Sequence, residues 1–206
     1  MRRVQSGRLH LGGVSVSSIA GHAAAGITAY LCCNRWACAP SRWAVVPFAF
    51  LAVCPDLDYL AVWLLGYAAS PRITHSLLFA LVTSLLVHRL TRRPPSARLP
   101  IAWLLAASLS HPLMDLLVGA HPVPLLWPIG APVAVPVGVL PSAGALSAGN
   151  YYLWRNLIIE LGVLLPPFAL AVAASRHATP RRVLAWAVGI APVWAAFLVG
   201  SLALAR

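Results

Sequence analysis

Six long apolar stretches run along this 206-residue chain, and they constrain its fold more than any other feature. A helix of about 20 mostly apolar residues is long enough to cross the hydrocarbon core of a bilayer. Only 9% of the residues are charged, against roughly 25% in soluble domains. The sequence therefore predicts an all-α, polytopic membrane helical bundle of about six spans. The predicted spans are 13–33, 43–66, 74–90, 99–118, 152–174 and 183–205.

Arginine supplies all fifteen basic residues, and most of the arginines stand between the apolar stretches. The formal net charge of +11 would suit a nucleic-acid partner. Arginines at the ends of spans are better explained by membrane orientation, so we expect the bilayer as partner and no nucleic acid. If the even-numbered connections lie outside, nine arginines face the cytoplasm and six face away, as the positive-inside rule prefers. The first stretch is longer than a signal-peptide core, so we expect it to be retained.

The connection over residues 119–150 is apolar but rich in proline. Those prolines prevent a continuous helix, and irregular backbone at membrane depth is tolerated only against protein or a cavity. We therefore expect a lid or re-entrant segment within one domain that covers residues 1–206. The four cysteines form no CxxC pair, which favours small buried hydrophobic side chains over a zinc ribbon. The prolines of the connection are Pro122, Pro124, Pro128, Pro132, Pro136 and Pro141.

All four acidic residues lie within or beside predicted spans, namely Asp56, Asp58, Asp115 and Glu160. An ionisable group inside a span costs on the order of 3 kcal/mol, and such groups usually mark functional sites. Asp56 and Asp58 follow Pro55, which breaks an apolar stretch and suits the first turn of a new helix. Helix capping is the alternative explanation, but one aspartate would be enough for that. Two acids at this depth favour a cation site.

His111 and Asp115 are four residues apart, so they share one face of the predicted fourth span. Side chains at this spacing can hold one ion, or they can form a hydrogen bond that ties the bundle together. His75 lies at the start of the third span, after a possible helix cap at Thr74. A single histidine in that place is more often structural than a ligand.

Three further side chains complete the candidate set. His22 has small neighbours that would let helices approach closely, so we expect it to point into the bundle. Glu160 follows Asn156 at four-residue spacing, and His121 begins the lid, where a simple turn residue is an equal alternative. In an alternating bundle, the ends of the second, third, fourth and fifth spans that carry the candidate residues meet on one face. A divalent-metal site requires such a convergence of ligands. Nitrogen and oxygen ligands suit zinc first, then manganese or iron.

At these residues the sequence resembles the YdjM family of LexA-regulated inner-membrane proteins, which are described as metal-dependent hydrolases. The family typically has His-Arg-Gly before its Thr-His-Ser motif, whereas Ser70, Pro71 and Arg72 stand there in this chain. The resemblance implies a multi-pass protein of the inner membrane with a metal-dependent hydrolase site. It is carried, in the family's order, by Gly21-His22, Pro55-Asp56-Leu57-Asp58, Thr74-His75-Ser76-Leu77, Leu109-Ser110-His111 with Asp115, and Pro124-Leu125-Leu126-Trp127-Pro128.

A more distant likeness is to zinc-dependent phospholipase C and the zinc nucleases, whose helical sites use a comparable order of ligands. Asparagine replaces their last histidine in this chain. The likeness implies hydrolysis of a phosphoester. The matching order here is His22, Asp58, His75, His111, Asp115, His121, and then Asn156 with Glu160.

These observations favour a membrane-embedded metal-dependent hydrolase that acts on a phosphoester or another ester at the membrane interface. Asp56 or Asp58 would serve as general base, and Arg72 or Arg155 would stabilise anionic charge near the mouth of the site. A small ion-binding or transport protein is the main alternative, because intramembrane acids and broken helices also occur in transporters. A structural membrane protein is a third possibility, in which the acids only hold helices together.

Overall fold

The computed structural model describes residues 18–33, 42–65, 71–91, 99–119, 121–135, 138–141, 149–176 and 178–204. In this part of the chain the fold is all-helical, as the apolar stretches predict. The only β-pairing there is an isolated bridge between Val123 and Val133. The α-helices are α1 (Ile19–Cys33), α2 (Val45–Val53), α3 (Asp58–Leu65), α4 (Leu77–Leu90), α5 (Ile101–Val118), α6 (Tyr151–Ser175) and α7 (Pro180–Ala203).

Three of these helices, α5, α6 and α7, are long and apolar enough to cross a membrane. The predicted span 43–66 is divided, because a 3-10 turn over Cys54–Leu57 separates α2 from α3 at Pro55. The predicted span 74–90 is shortened to α4, since a 3-10 turn occupies Ile73–His75. The described chain thus has three candidate spans, where the sequence predicts six.

Helix α1 is the centre of the bundle and packs against α2, α5 and α6, while α5 also contacts α2 and α4. One apolar core lies between α1, α2 and α5 and includes Phe48, Leu51 and Leu104, all fully buried. A second core joins α5 to α6 through Met114 and Val163. Helix α7 packs on α6, and none of its most apolar window is buried inside the protein.

The described parts of the predicted lid lie against the ends of α4 and α5. Helix α5 ends at Gly119 in the left-handed conformation (φ 64°), and the Val139 and Leu140 amides both donate to the Leu117 carbonyl oxygen. The Leu77 amide at the start of α4 donates to the Leu125 carbonyl oxygen at 2.9 Å. The lid is therefore held to the same end of the bundle at which His111 and Asp115 lie.

The cysteines follow the sequence prediction only in part. Cys32 and Cys54 are free and buried, as expected for small apolar side chains. Cys33 is instead disulfide-bonded, and Cys38 lies outside the described residues. Neighbouring apolar residues do not reveal such a bond, because a small hydrophobe and a half-cystine favour the same surroundings.

Candidate metal centre

Five ionisable side chains from four segments meet in the interior of the bundle. We refer to them as the His–Asp cluster. Each is buried, with an exposed fraction between 0% and 7%. Its members are His22 in the first turn of α1, Asp56 in the 3-10 turn after α2, His75 in the 3-10 turn before α4, and His111 with Asp115 on α5.

The three histidines turn their Nε2 atoms towards Asp115. The Nε2 atoms of His22, His75 and His111 lie 3.4, 3.2 and 3.4 Å from the nearest Asp115 oxygen. The corresponding distances to Asp56 are longer, at 3.9, 3.6 and 3.6 Å. The rings also pack on each other, with the His22 and His111 centroids 3.9 Å apart and stacked. Asp115 is therefore the central carboxylate of the cluster.

The protonation pattern of His111 follows from its other ring nitrogen. Nδ1 of His111 lies 2.7 Å from the Ala52 carbonyl oxygen. A carbonyl oxygen only accepts, so Nδ1 must carry the proton and donate it. In the neutral ring, Nε2 of His111 is then an unprotonated lone pair that faces Asp56 and Asp115.

His75 reaches the same state through a hydroxyl group. The Thr74 hydroxyl donates to Asp58 Oδ2 at 3.1 Å and lies 2.9 Å from Nδ1 of His75. Because the hydroxyl donates its one proton to the Asp58 carboxylate, it must accept a hydrogen bond from His75 Nδ1. In the neutral ring, Nε2 of His75 therefore also presents a lone pair to Asp56 and Asp115.

Imidazole lone pairs and carboxylate oxygens repel each other unless a proton or a metal ion lies between them. Among the described residues, Nε2 of His75, Nε2 of His111 and Oδ2 of Asp56 have no hydrogen-bond partner. The spacings also suit a metal. Ligands about 2.0–2.1 Å from a tetrahedral zinc are roughly 3.3–3.4 Å apart, close to the 3.2–3.4 Å around Asp115.

The charge of the site points to a divalent ion. Three carboxylates, those of Asp56, Asp58 and Asp115, stand beside one guanidinium, that of Arg72. With neutral imidazoles this leaves two negative charges buried in the bundle. Among the described residues, two groups of side chains could hold a metal ion: His22 with His111 and Asp115, and Asp56 with His75 and His111. The residues present therefore fit a divalent metal.

Asp58, which the sequence analysis assigns as a ligand or a base, has both of its oxygens engaged outside the His–Asp cluster. Arg72 binds it through Nε and Nη2 at 2.7 and 2.6 Å, and Nη2 also donates to Asp56 at 3.3 Å. Burial lowers the pKa of Arg72, but its hydrogen bonds to Asp58 and the charges of Asp58 and Asp56 raise it above its ordinary value. Arg72 thus remains charged and holds the two aspartates in place.

Glu160 and His121, the other two predicted ligands, lie beside the His–Asp cluster rather than in it. Glu160 is fully buried on α6, with its carboxylate against Gly21 of α1 and close to Ser18. His121 lines a cavity of about 360 Å³ together with Arg72 and His75. The described structure brings neither side chain into the two possible metal groups.

Two supporting groups were not assigned a role at the site from the sequence. Thr74 was a candidate cap of α4, but Ser76 fills that position by accepting from the Phe79 amide. The position of Thr74 beside His75 in the Thr-His-Ser motif is the sequence feature that could have indicated a supporting role. The Ala52 carbonyl could not be found in this way, because it belongs to the backbone of another helix.

Comparison with protein families places nearly all of this architecture in one group. Residues 18–203 match the family model described as YdjM inner membrane protein. The match includes every residue of the His–Asp cluster and the seven α-helices of the described chain. No curated protein and no solved structure matches the chain.

Proposed function

This chain belongs to the YdjM inner membrane protein family, and from that premise we propose that it is a membrane-embedded metal-dependent hydrolase. Its substrate would be a phosphoester or another ester at the membrane interface. We further propose that it crosses the inner membrane about six times, with α5, α6 and α7 as its longest spans. The observation that carries the proposal is the convergence of histidine lone pairs on two buried aspartates.

The distances favour His22, His75, His111 and Asp115 as the metal ligands, with zinc as the first candidate. All three imidazoles lie closer to Asp115 than to Asp56. A bound divalent metal would lower the pKa of a water to about 7 and polarise the scissile group. The Ala52 carbonyl and the Thr74 hydroxyl hold the His111 and His75 rings in the orientation that ligation needs.

Asp56 is the stronger candidate for the general base. Its Oδ2 atom is buried and has no hydrogen bond among the described residues, while both oxygens of Asp58 are engaged by Arg72. Oδ2 of Asp56 would accept the proton of the attacking water. Asp58 would act through Arg72 and Thr74 by holding Asp56 and His75 in position.

The experiment that tests this proposal combines metal analysis with turnover. Protein purified in detergent should contain bound zinc, and an ester panel should show hydrolysis that chelation abolishes and zinc restores. Asp115→Ala should lose both the metal and the turnover while the protein still inserts into the membrane. His88→Ala is the matched control, because His88 is also buried but bonds to the Leu99 carbonyl oxygen far along α4.

An ion-binding or transport function is the alternative outcome. If the protein binds metal and hydrolyses no ester, and proteoliposomes show metal flux, metal transport becomes the proposed function in place of hydrolysis. If the protein holds no divalent metal at any tested concentration, both the hydrolase function and the metal-transport function are excluded. The His–Asp cluster would then be a structural tie between α1 and α5.

A further inference from the structure

A cavity of about 360 Å³ opens beside the His–Asp cluster, under the described part of the lid. It shares His75 with the cluster, so a molecule in the cavity would lie next to the candidate metal ligands. None of its lining residues in the described chain is acidic, although three aspartates stand close behind it. The lining consists of Pro71, Arg72, His75, His121, Pro122, Pro124 and Pro132.

The walls of this cavity restrict how it can bind a ligand. Four of the seven lining residues are prolines, which have no backbone N–H to donate. The ring nitrogens of His75 are directed to Thr74 and to the carboxylates of the cluster. The side-chain donors that remain for a ligand are Arg72 and His121.

Both of these side chains can make a further hydrogen bond. A guanidinium has five N–H groups, and four of those of Arg72 are used by Asp58, Asp56 and Tyr59. One Nη1 proton is left, and the side chain is 19% exposed. Nε2 of His121 is shielded from solvent yet has no hydrogen-bond partner among the described residues. A buried polar atom without a partner is costly, and a water molecule, an ion or a bound ligand can supply the partner.

We propose that this cavity binds the phosphate group of the substrate, with Arg72 and His121 as its hydrogen-bond donors. The inference rests on the proposed hydrolase function and narrows its substrate from an ester to a phosphoester. A phosphate group presents several charged acceptor oxygens to these donors, whereas a carboxylic ester presents one neutral carbonyl. Charged acceptors make the stronger hydrogen bonds.

The size of the cavity indicates which part of a lipid it would take. Its volume is near the lower end of the range for small-ligand sites, which suits a lipid headgroup. Leu126 and Ile129 at the tip of the lid are 55% and 95% exposed. Apolar side chains in this position would contact the acyl region of the bilayer while the phosphate group enters the cavity.

The test compares His121→Ala with the unaltered protein in detergent, both zinc-loaded and after chelation. Zinc content is measured by elemental analysis, and binding of inorganic phosphate and of a short-chain phosphatidic acid is measured by calorimetry. We expect unchanged zinc content and about ten-fold weaker phosphate binding, because a hydrogen bond to a charged group is lost. His88→Ala is again the control and should bind phosphate like the unaltered protein.

Each outcome has a defined meaning. Loss of zinc in His121→Ala would make His121 a metal ligand and overturn the inference, as would unchanged phosphate affinity or equally tight binding of acetate. Tighter binding of the short-chain phosphatidic acid identifies a lipid headgroup, and equal binding of inorganic phosphate identifies a soluble source. If phosphate binding depends on His121 but the protein hydrolyses no ester, the phosphate site is supported and the hydrolase proposal fails.

Discussion

At the scale of single residues, two hydrogen-bond acceptors outside the His–Asp cluster control its chemistry. The Ala52 carbonyl and the Thr74 hydroxyl each accept the Nδ1 proton of a histidine, on His111 and His75 respectively. In the neutral rings, both Nε2 atoms are then unprotonated and face the same two carboxylates. Loss of a supporting group of this kind typically costs about 10–100-fold in metal affinity.

The Thr74 hydroxyl can be tested with little change in shape. Thr74→Val removes the acceptor of the His75 Nδ1 proton and the donor to Asp58. We expect zinc affinity to fall by about 10–100-fold, as for other supporting groups at metal sites. Competition with a chromogenic chelator gives the affinity, and Thr74→Ser should restore it. Equal affinities in the valine and threonine proteins would mean that the hydroxyl does not orient His75.

Gly21 provides a second residue-scale test, because α1 passes very close to α6 at this point. A Cβ atom on residue 21 would overlap Glu160 Oε1 and would stand 3.0 Å from Met114 Cε. We expect Gly21→Ala to destabilise the protein by about 1–3 kcal/mol, the usual cost of overpacking a core. Gly189→Ala is the control, since its Cβ would meet nothing within 4 Å. Thermal unfolding in detergent measures both variants, and equal melting temperatures would contradict the close approach.

Residue types and spacing were enough to predict most members of the cluster. His111 and Asp115 share a helix face at four-residue spacing, so their proximity needs no knowledge of tertiary structure. Asp56 and Asp58 could not be distinguished in this way. One residue separates them at a turn, and only the direction of that turn decides which one faces the histidines. The position of Glu160 depends in the same way on the rotation of α6 about its axis.

At the scale of helices, proline explains where the predicted and the observed elements differ. The apolar stretch 43–66 reads as one span, but Pro55 ends α2 and allows a 3-10 turn before α3. This break places Asp56 at the cluster and Asp58 beside Arg72. Pro112 and the pair Pro166–Pro167, in contrast, lie inside continuous helices. Hydropathy predicts that a segment is helical, while the packing of its neighbours decides whether a proline interrupts it.

The joint between α5 and the lid can be tested at Gly138. A Cβ atom at this position would overlap the Val118 carbonyl group, and Gly119 lies directly beside it. We expect Gly138→Ala to separate the lid from α5 and to speed proteolysis within residues 121–135. The melting temperature of the whole protein should change less than the rate of proteolysis. Gly149→Ala is the control, because its Cβ would be in open space. A lid that stays as resistant to protease as before would show that the joint tolerates a side chain.

At the scale of the whole molecule, a metal bound at the cluster would join α1 and α5 to the turns before α3 and α4. Zinc should therefore stabilise the folded protein by about 2.7 kcal/mol when its free concentration is a hundred times Kd. The measurement is the melting temperature in detergent with zinc and with chelator. His22→Ala should remove most of the difference, while His88→Ala should retain it. A melting temperature that does not respond to zinc in the unaltered protein would argue against a site that links these segments.

The order of the cluster along the chain also has a consequence for its assembly during synthesis. The residues of the His–Asp cluster end at Asp115, and α6 and α7 follow later. A ribosome that adds about 5–20 residues per second needs several seconds to make the two later helices. At the start of that interval the nascent chain already holds every residue of the His–Asp cluster, and Glu160 on α6 is still to be made. The proposed metal could thus enter before translation ends and before α6 packs against α1.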